Sequence, residues 1–175
     1  LEKGQFNATF YNHAISLMGG AVTLQTVDQL VAIFGAKPAF ANSGSNNVAI
    51  EDRDLAMANY GARRDKNDGN GLYTQIKTAF ITLQAAVRAG EEYNEERDEA
   101  LGQIRLLWEK INAATAINYC HTAISRLSET SPTEDQVGGA LHALGEAIGF
   151  IHGFRTIDTQ FREISDAQID EVLTL

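Results

Sequence analysis

Apolar residues recur every three or four positions along most of this chain, and that spacing restricts it to helices. Leu72, Ile76, Ala79/Phe80, Leu83 and Val87 make one stripe; Leu101, Ile104, Leu107/Trp108, Ile111 and Ala114 make another. A repeat near 3.6 residues puts each set on one side of an α-helix, whereas a half-buried strand alternates every second residue. No convincing alternating stretch occurs. The pattern predicts helices over 72–89 and 95–120, with Asn94 as N-cap and Glu95 and Glu96 at the positive end of the macrodipole.

The remaining punctuation completes an all-helical plan. Phe6, Phe10, His13/Ala14, Leu17 and Ala21 fall at helical spacing, and Gly19-Gly20 divides the run to about Phe34 into two helices. Gly35 with Pro38 is a stop, residues 41–47 form a loop, and 50–64 hold a short helix. Ser131-Pro132-Thr133-Glu134 has the form of a capping box opening a helix through Phe154, and Ser165-Asp-Ala-Gln168 opens a final one. Short connections between helices of this length favour an antiparallel bundle, here of about five to seven helices. At 175 residues, the chain suits a single helical domain over 1–175.

Charge and cysteine content exclude several classes. Lys and Arg total 14 against 23 Asp and Glu, so the net charge of −9 gives no basic face for nucleic acid. One cysteine, Cys120, builds no disulfide scaffold and sits where its neighbour His121 points to another face. Between Lys3 and Asp28, the longest uncharged stretch, Gln5, Asn7, Asn12, His13, Ser16 and Gln25 are too polar for a membrane span. The chain begins at Leu1 without a basic or apolar leader, which points to a processed protein or a piece of a longer one.

One helix poses a chemical question. Between 142 and 154, His142, Gly145, Glu146, Gly149, His152 and Gly153 fall on one side. Ala143, Leu144, Ala147, Ile148, Phe150, Ile151 and Phe154 fall on the other, as an ordinary core face. Glycine within a helix costs roughly 1 kcal/mol against alanine, so three spaced four apart need an offset. A ligand lying in the groove supplies one, and so does a helix approaching closely, from elsewhere in a longer protein or from a second copy. His142 and Glu146, at i and i+4, can share a divalent metal or a hydrogen bond; His152 lies further along. A weaker candidate is the oxygen-rich loop Asp65-Lys-Asn-Asp-Gly-Asn-Gly71. There Asp65, Asn67, Asp68 and Asn70 are possible calcium ligands, although the EF-hand spacing fails and position twelve is Ile76. A short echo also links Asp28–Gly35 with Glu146–Gly153, where an acid, an Ile or Leu, an Ile and a Gly recur at matching offsets.

Four stretches together carry a resemblance. They are Leu1-Glu-Lys-Gly-Gln-Phe, Ala58-Asn-Tyr-Gly-Ala-Arg-Arg-Asp-Lys-Asn-Asp-Gly-Asn-Gly71, Ile104-Arg-Leu-Leu-Trp-Glu-Lys110 and Gly139-Ala-Leu-His-Ala-Leu-Gly-Glu-Ala-Ile-Gly-Phe-Ile-His-Gly153. The chain resembles an uncharacterised family of bacterial envelope proteins, all-helical and often lipoproteins, and matches their C-terminal part. More distantly it is similar to imelysin-like proteins, which are linked to iron and metal handling and carry a Gly-x-His-x-x-Glu signature; here His142 and Glu146 read His-x-x-x-Glu. The resemblance implies a periplasmic or outer-membrane-attached protein. Three expectations follow: a non-enzymatic binder of a small ligand, metal or partner at the His142/Glu146 face; an imelysin-like metal-dependent protein or peptidase; or a purely structural helical module.

Overall fold

The computed structural model describes residues 2–37, 52–65 and 70–174, and among these residues the fold is all helix. Seven α-helices follow in order: α1 (Asn12–Met18), α2 (Leu24–Phe34), α3 (Ala56–Arg64), α4 (Leu72–Ala89), α5 (Asn94–Leu127), α6 (Glu134–Gly153) and α7 (Asp166–Thr174). A 3₁₀ turn at Glu2–Gly4 and a π-helical segment at Phe6–Tyr11 precede them. The expected antiparallel helical bundle is therefore the observed one. The loop at 41–47 lies outside the described residues.

The two strongest stripes form the centre. Tyr73, Ile76, Ala79, Phe80, Leu83 and Ala86 of α4 are buried, as are Leu101, Ile104, Leu107, Trp108 and Ile111 of α5. Trp108 anchors the core, stacked on Tyr11 with centroids 5.3 Å apart and edge-on to Phe34 at 4.9 Å. Removing such side chains from water stabilises the fold by roughly 1.5–3 kcal/mol each. α4 turns back into α5 through Gly90 (φ +110°), and α5 turns back into α6 through residues 128–133.

Helix ends follow local chemistry, with some shifts from the sequence reading. Gly19 caps α1 and Gly35 ends α2 in the left-handed region at φ +93°. A Cβ at Gly35 would lie 2.3 Å from the Leu55 carbonyl oxygen, so only glycine fits there. Its partner in the echo, Gly153, stays helical at φ −57°, so the two segments end differently. The expected cap Asn94 is the first helical residue of α5, and Tyr93 occupies the N-cap without a side-chain bond. Asn94 Oδ1 instead accepts from Arg97 at 2.7 Å. α5 runs on to Leu127, seven residues past the expected end, because nothing in Ala116–Arg126 breaks a helix. The α6 box starts at Thr133 rather than Ser131. Thr133 Oγ1 accepts from the Gln136 N–H at 3.2 Å, and the Thr133 N–H donates to Gln136 Oε1 at 2.7 Å. Ser165 and Gln168 make the expected reciprocal box before α7. Among the described residues no helix is long and apolar enough to cross a membrane.

Candidate functional site

The glycine face of α6 is covered by the chain's own beginning. The 3₁₀ turn Glu2–Gly4 and the start of the π-helical segment lie along it. A Cβ on Gly149 would come within 3.1 Å of Lys3 Cβ, and one on Gly153 within 2.9 Å of Asn7 Cβ and 3.1 Å of the Gly4 carbonyl. These two glycines let one backbone approach another. Gly145 differs: a Cβ there would meet no atom within 4 Å.

Polar groups fasten the segment at both ends. Asn7, fully buried, donates through Nδ2 to the Phe150 carbonyl at 3.2 Å. Its Oδ1 accepts from Asn112 Nδ2 of α5 at 2.6 Å. The Lys3 ammonium lies 3.3 Å from Glu146 Oε1 and 3.0 Å from Glu2 Oε1. It also sits 5.7 Å from the Phe6 ring centroid and 5.9 Å from that of Tyr60, within reach of a cation–π attraction. Phe150 packs against Phe6, Tyr60 and Tyr119 with centroids 5.3 to 6.1 Å apart. Partial burial pulls the Lys3 ammonium down, but its hydrogen bonds to Glu2, Tyr60 and Glu146 outweigh that and hold it above the ordinary lysine range. The Tyr119 hydroxyl is raised, first by burial and then by Tyr60 and Glu146.

The structure brings His142 and Glu146 together and leaves the other sequence candidates apart. His142 Nε2 is 3.5 Å from Glu146 Oε1, yet its side chain is 76% exposed against 17% for Glu146. Glu146 is thus shared between an exposed imidazole and a half-buried ammonium. His152 is exposed on the same helix. Among the described residues no group of three His, Cys, Asp or Glu is placed to hold a metal ion. A divalent cation at this pair would find two protein ligands at most, one already committed to Lys3.

The calcium candidate is divided. Asn67 and Asp68 lie outside the described residues. Asp65 is buried and turned towards α4, where Oδ2 accepts from the Thr74 N–H at 2.9 Å and its hydroxyl at 3.1 Å. Its carboxylate fills the space a Cβ on Gly71 would need, so it closes the N-terminus of α4. The Asn70 carbonyl accepts from Gln75 Nε2 at 2.6 Å.

Two features escaped the sequence reading. Lys3, Tyr60 and Tyr119 belong to the cluster around Glu146, and the only local hint was Asn7, a polar residue inside the Phe6–Phe10 apolar run. The supposed core face of α6 is also split. Ala143, Ala147, Phe150, Ile151 and Phe154 are buried, but Leu144 and Ile148 are exposed, as are Val137 and Leu141. Elsewhere, a groove of about 420 Å3 runs between α4 and α5, lined among others by Thr74, Thr78, Thr82, Glu96, Glu99 and Gln103.

A family model described as "Domain of unknown function (DUF4856)" matches residues 39–174, more than three quarters of the chain. The chain belongs to the DUF4856 family. No curated protein and no solved structure matches it. The DUF4856 match takes in α3 to α7, including the glycine face, while the segment covering that face precedes the matched span.

Proposed function

We propose that this DUF4856 domain is a non-enzymatic binding protein of the bacterial envelope, periplasmic or outer-membrane-attached, which works by holding a partner protein. The envelope location rests on the resemblance carried by the four quoted stretches. One observation carries the binding mode: α5 and α6 leave large apolar side chains in water side by side, Ile124 at 62% and Leu141 at 64% exposed among them. A contiguous apolar patch of this kind marks an interaction surface. The His142/Glu146 pair supports it less well as a ligand site, because Glu146 is engaged by Lys3 and Gly149, one turn on, is covered. The imelysin-like metal-dependent alternative needs ligands beyond these two.

Calorimetric titration of zinc and calcium into the chain, and into its His142→Ala and Glu146→Ala variants, tests this reading. The expected result is no stoichiometric site in any of the three. One equivalent of metal held at micromolar affinity by the parent and lost in either variant would overturn it.

A second reading, a small polar ligand, is favoured by the α4–α5 groove. Thr82 and Gln103 line it with Glu96 and Glu99, while the hydroxyls of Thr74 and Thr78 donate to Asp65 and to the Thr74 carbonyl. A thermal-shift screen of sugars and small amines, repeated on Glu99→Gln, checks it.

A further inference from the structure

We propose that the partner is a second copy of this chain, paired through the outer faces of the two α5–α6 hairpins to give a four-helix packing. This rests on the partner-binding reading above and specifies it.

The spacing of the exposed residues is the first argument. On α5 the exposed Ile117, the partly buried Cys120 and the exposed Ile124 and Leu127 are separated by three, four and three residues; on α6 the exposed Val137, Leu141, Leu144 and Ile148 by four, three and four. Each is two heptads of the 3.5-residue repeat with which one helix packs along another. Neither stripe serves the contact between α5 and α6 themselves. That contact uses small residues, Ala123 with Ala140 and Ala143, beneath Tyr119. In an antiparallel pair, equal angular offsets from the shared contact turn to the same side. The two stripes lie at matching offsets, so they form one surface. Gly149 and Gly153 lie on the opposite side, under the N-terminal segment.

Area and charge argue for a copy of the same chain. Seven Ile, Leu and Val residues, 39 to 64% in water, make a face two helices wide, the scale of one side of a standard interface. Each copy carries −9, so two copies repel over most of their surfaces. Residues 111–125 and 137–145 contain no Asp, Glu, Lys or Arg, so these two long helices present a broad face that can meet its own copy without that repulsion. A two-fold axis through the face lays the stripes of one hairpin on those of the other, a self-complementary closed contact.

Analytical ultracentrifugation of the full 175-residue chain from low to high micromolar tests the proposal. The parent is expected to be a dimer. Leu141→Glu and Ile124→Glu should each weaken it on the order of 100-fold or more, because each buries an unpaired carboxylate in the contact. Circular dichroism and melting temperature should stay unchanged, since both positions are exposed in a single copy. Ile81→Glu, at an exposed apolar position on α4, should leave the dimer intact. Cys120 should react with a maleimide more slowly in the parent than in Leu141→Glu. A dimer indifferent to both glutamates would overturn the proposal. A monomer whose binding of bis-ANS is lost in Leu141→Glu would overturn the dimer and leave the partner-binding reading standing; a monomer with no such dye binding would overturn both.

Discussion

α6 has two long faces, and they are packed the opposite way round from what their residues suggest. The face with Gly149 and Gly153 is closed by the N-terminal segment, while the face with Val137, Leu141, Leu144 and Ile148 stays in water. Glycine gives nothing to the hydrophobic effect and costs roughly 1 kcal/mol of helix propensity. What it permits is distance: backbone can lie on backbone, and buried hydrogen bonds such as Asn7 to Phe150 can close across the gap. The outer stripe has the reverse properties, with much apolar area to bury and nothing among the described residues to bury it. Residue size decides the intramolecular contact, and hydrophobicity is left over for the intermolecular contact proposed above.

The contrast breaks most severely if the inner face tolerates bulk. Gly153→Leu forces its side chain into Asn7 and the Gly4 carbonyl, and the segment must lift away. Overpacking of this kind costs about 1–3 kcal/mol, here expected at the upper end, and chemical denaturation measures it. Unchanged stability would mean that the segment does not lie where Gly153 receives it. Asn112→Ala comes next, at about 2 kcal/mol, because it leaves the buried Asn7 Oδ1 without its 2.6 Å donor. Asn112→Asp keeps the shape but removes the donor, so it should be at least as damaging in the same measurement.

The helices themselves were legible in the sequence because helix formation is local and the apolar period repeats within a few residues. So was the anomaly on α6, since glycine's helix cost is intrinsic to the residue. Its cover was not legible, because a glycine records that something comes close without recording what. The Lys3 and Asn7 partners lie more than 140 residues away in sequence. The same non-locality hid Tyr60 and Tyr119. The division of the apolar face at Leu144 and Ile148 was hidden for another reason. Periodicity locates an apolar stripe but does not say whether the layer meant to cover it belongs to the same chain.

Gly145 sharpens the comparison with the opposite sign. It stands one turn before Gly149 on the same helix, yet a Cβ there meets nothing. Gly145→Ala should therefore raise stability by about 0.5–1 kcal/mol through helix propensity alone. Gly149→Ala, 3.1 Å from Lys3 Cβ, should gain less or lose. The pair of melting temperatures reads out how far the N-terminal segment extends along the helix. A loss at Gly145 would place the segment's cover a full turn further than the structure does.

The smallest effect concerns the ion pair that ends the covered face. Lys3 is held above the ordinary lysine value: burial opposes the charge, but Glu2, Tyr60 and Glu146 outweigh it. A base with a raised folded-state pKa contributes stability in full below its unfolded value, about 10.4 for lysine, and loses it as pH climbs through the folded value. The latch should therefore be indifferent to pH across the neutral range and weaken only in strong alkali. Glu146→Gln removes one of the two carboxylates that contact the ammonium. Its cost at neutral pH should be under about 1 kcal/mol, as for ion pairs near a surface, and it should flatten the alkaline decline. Denaturation midpoints of parent and variant at neutral and strongly alkaline pH check both statements. Convergence of the two curves in alkali assigns the effect to the Lys3 charge; a constant offset assigns it to packing of the Glu146 side chain against Tyr119.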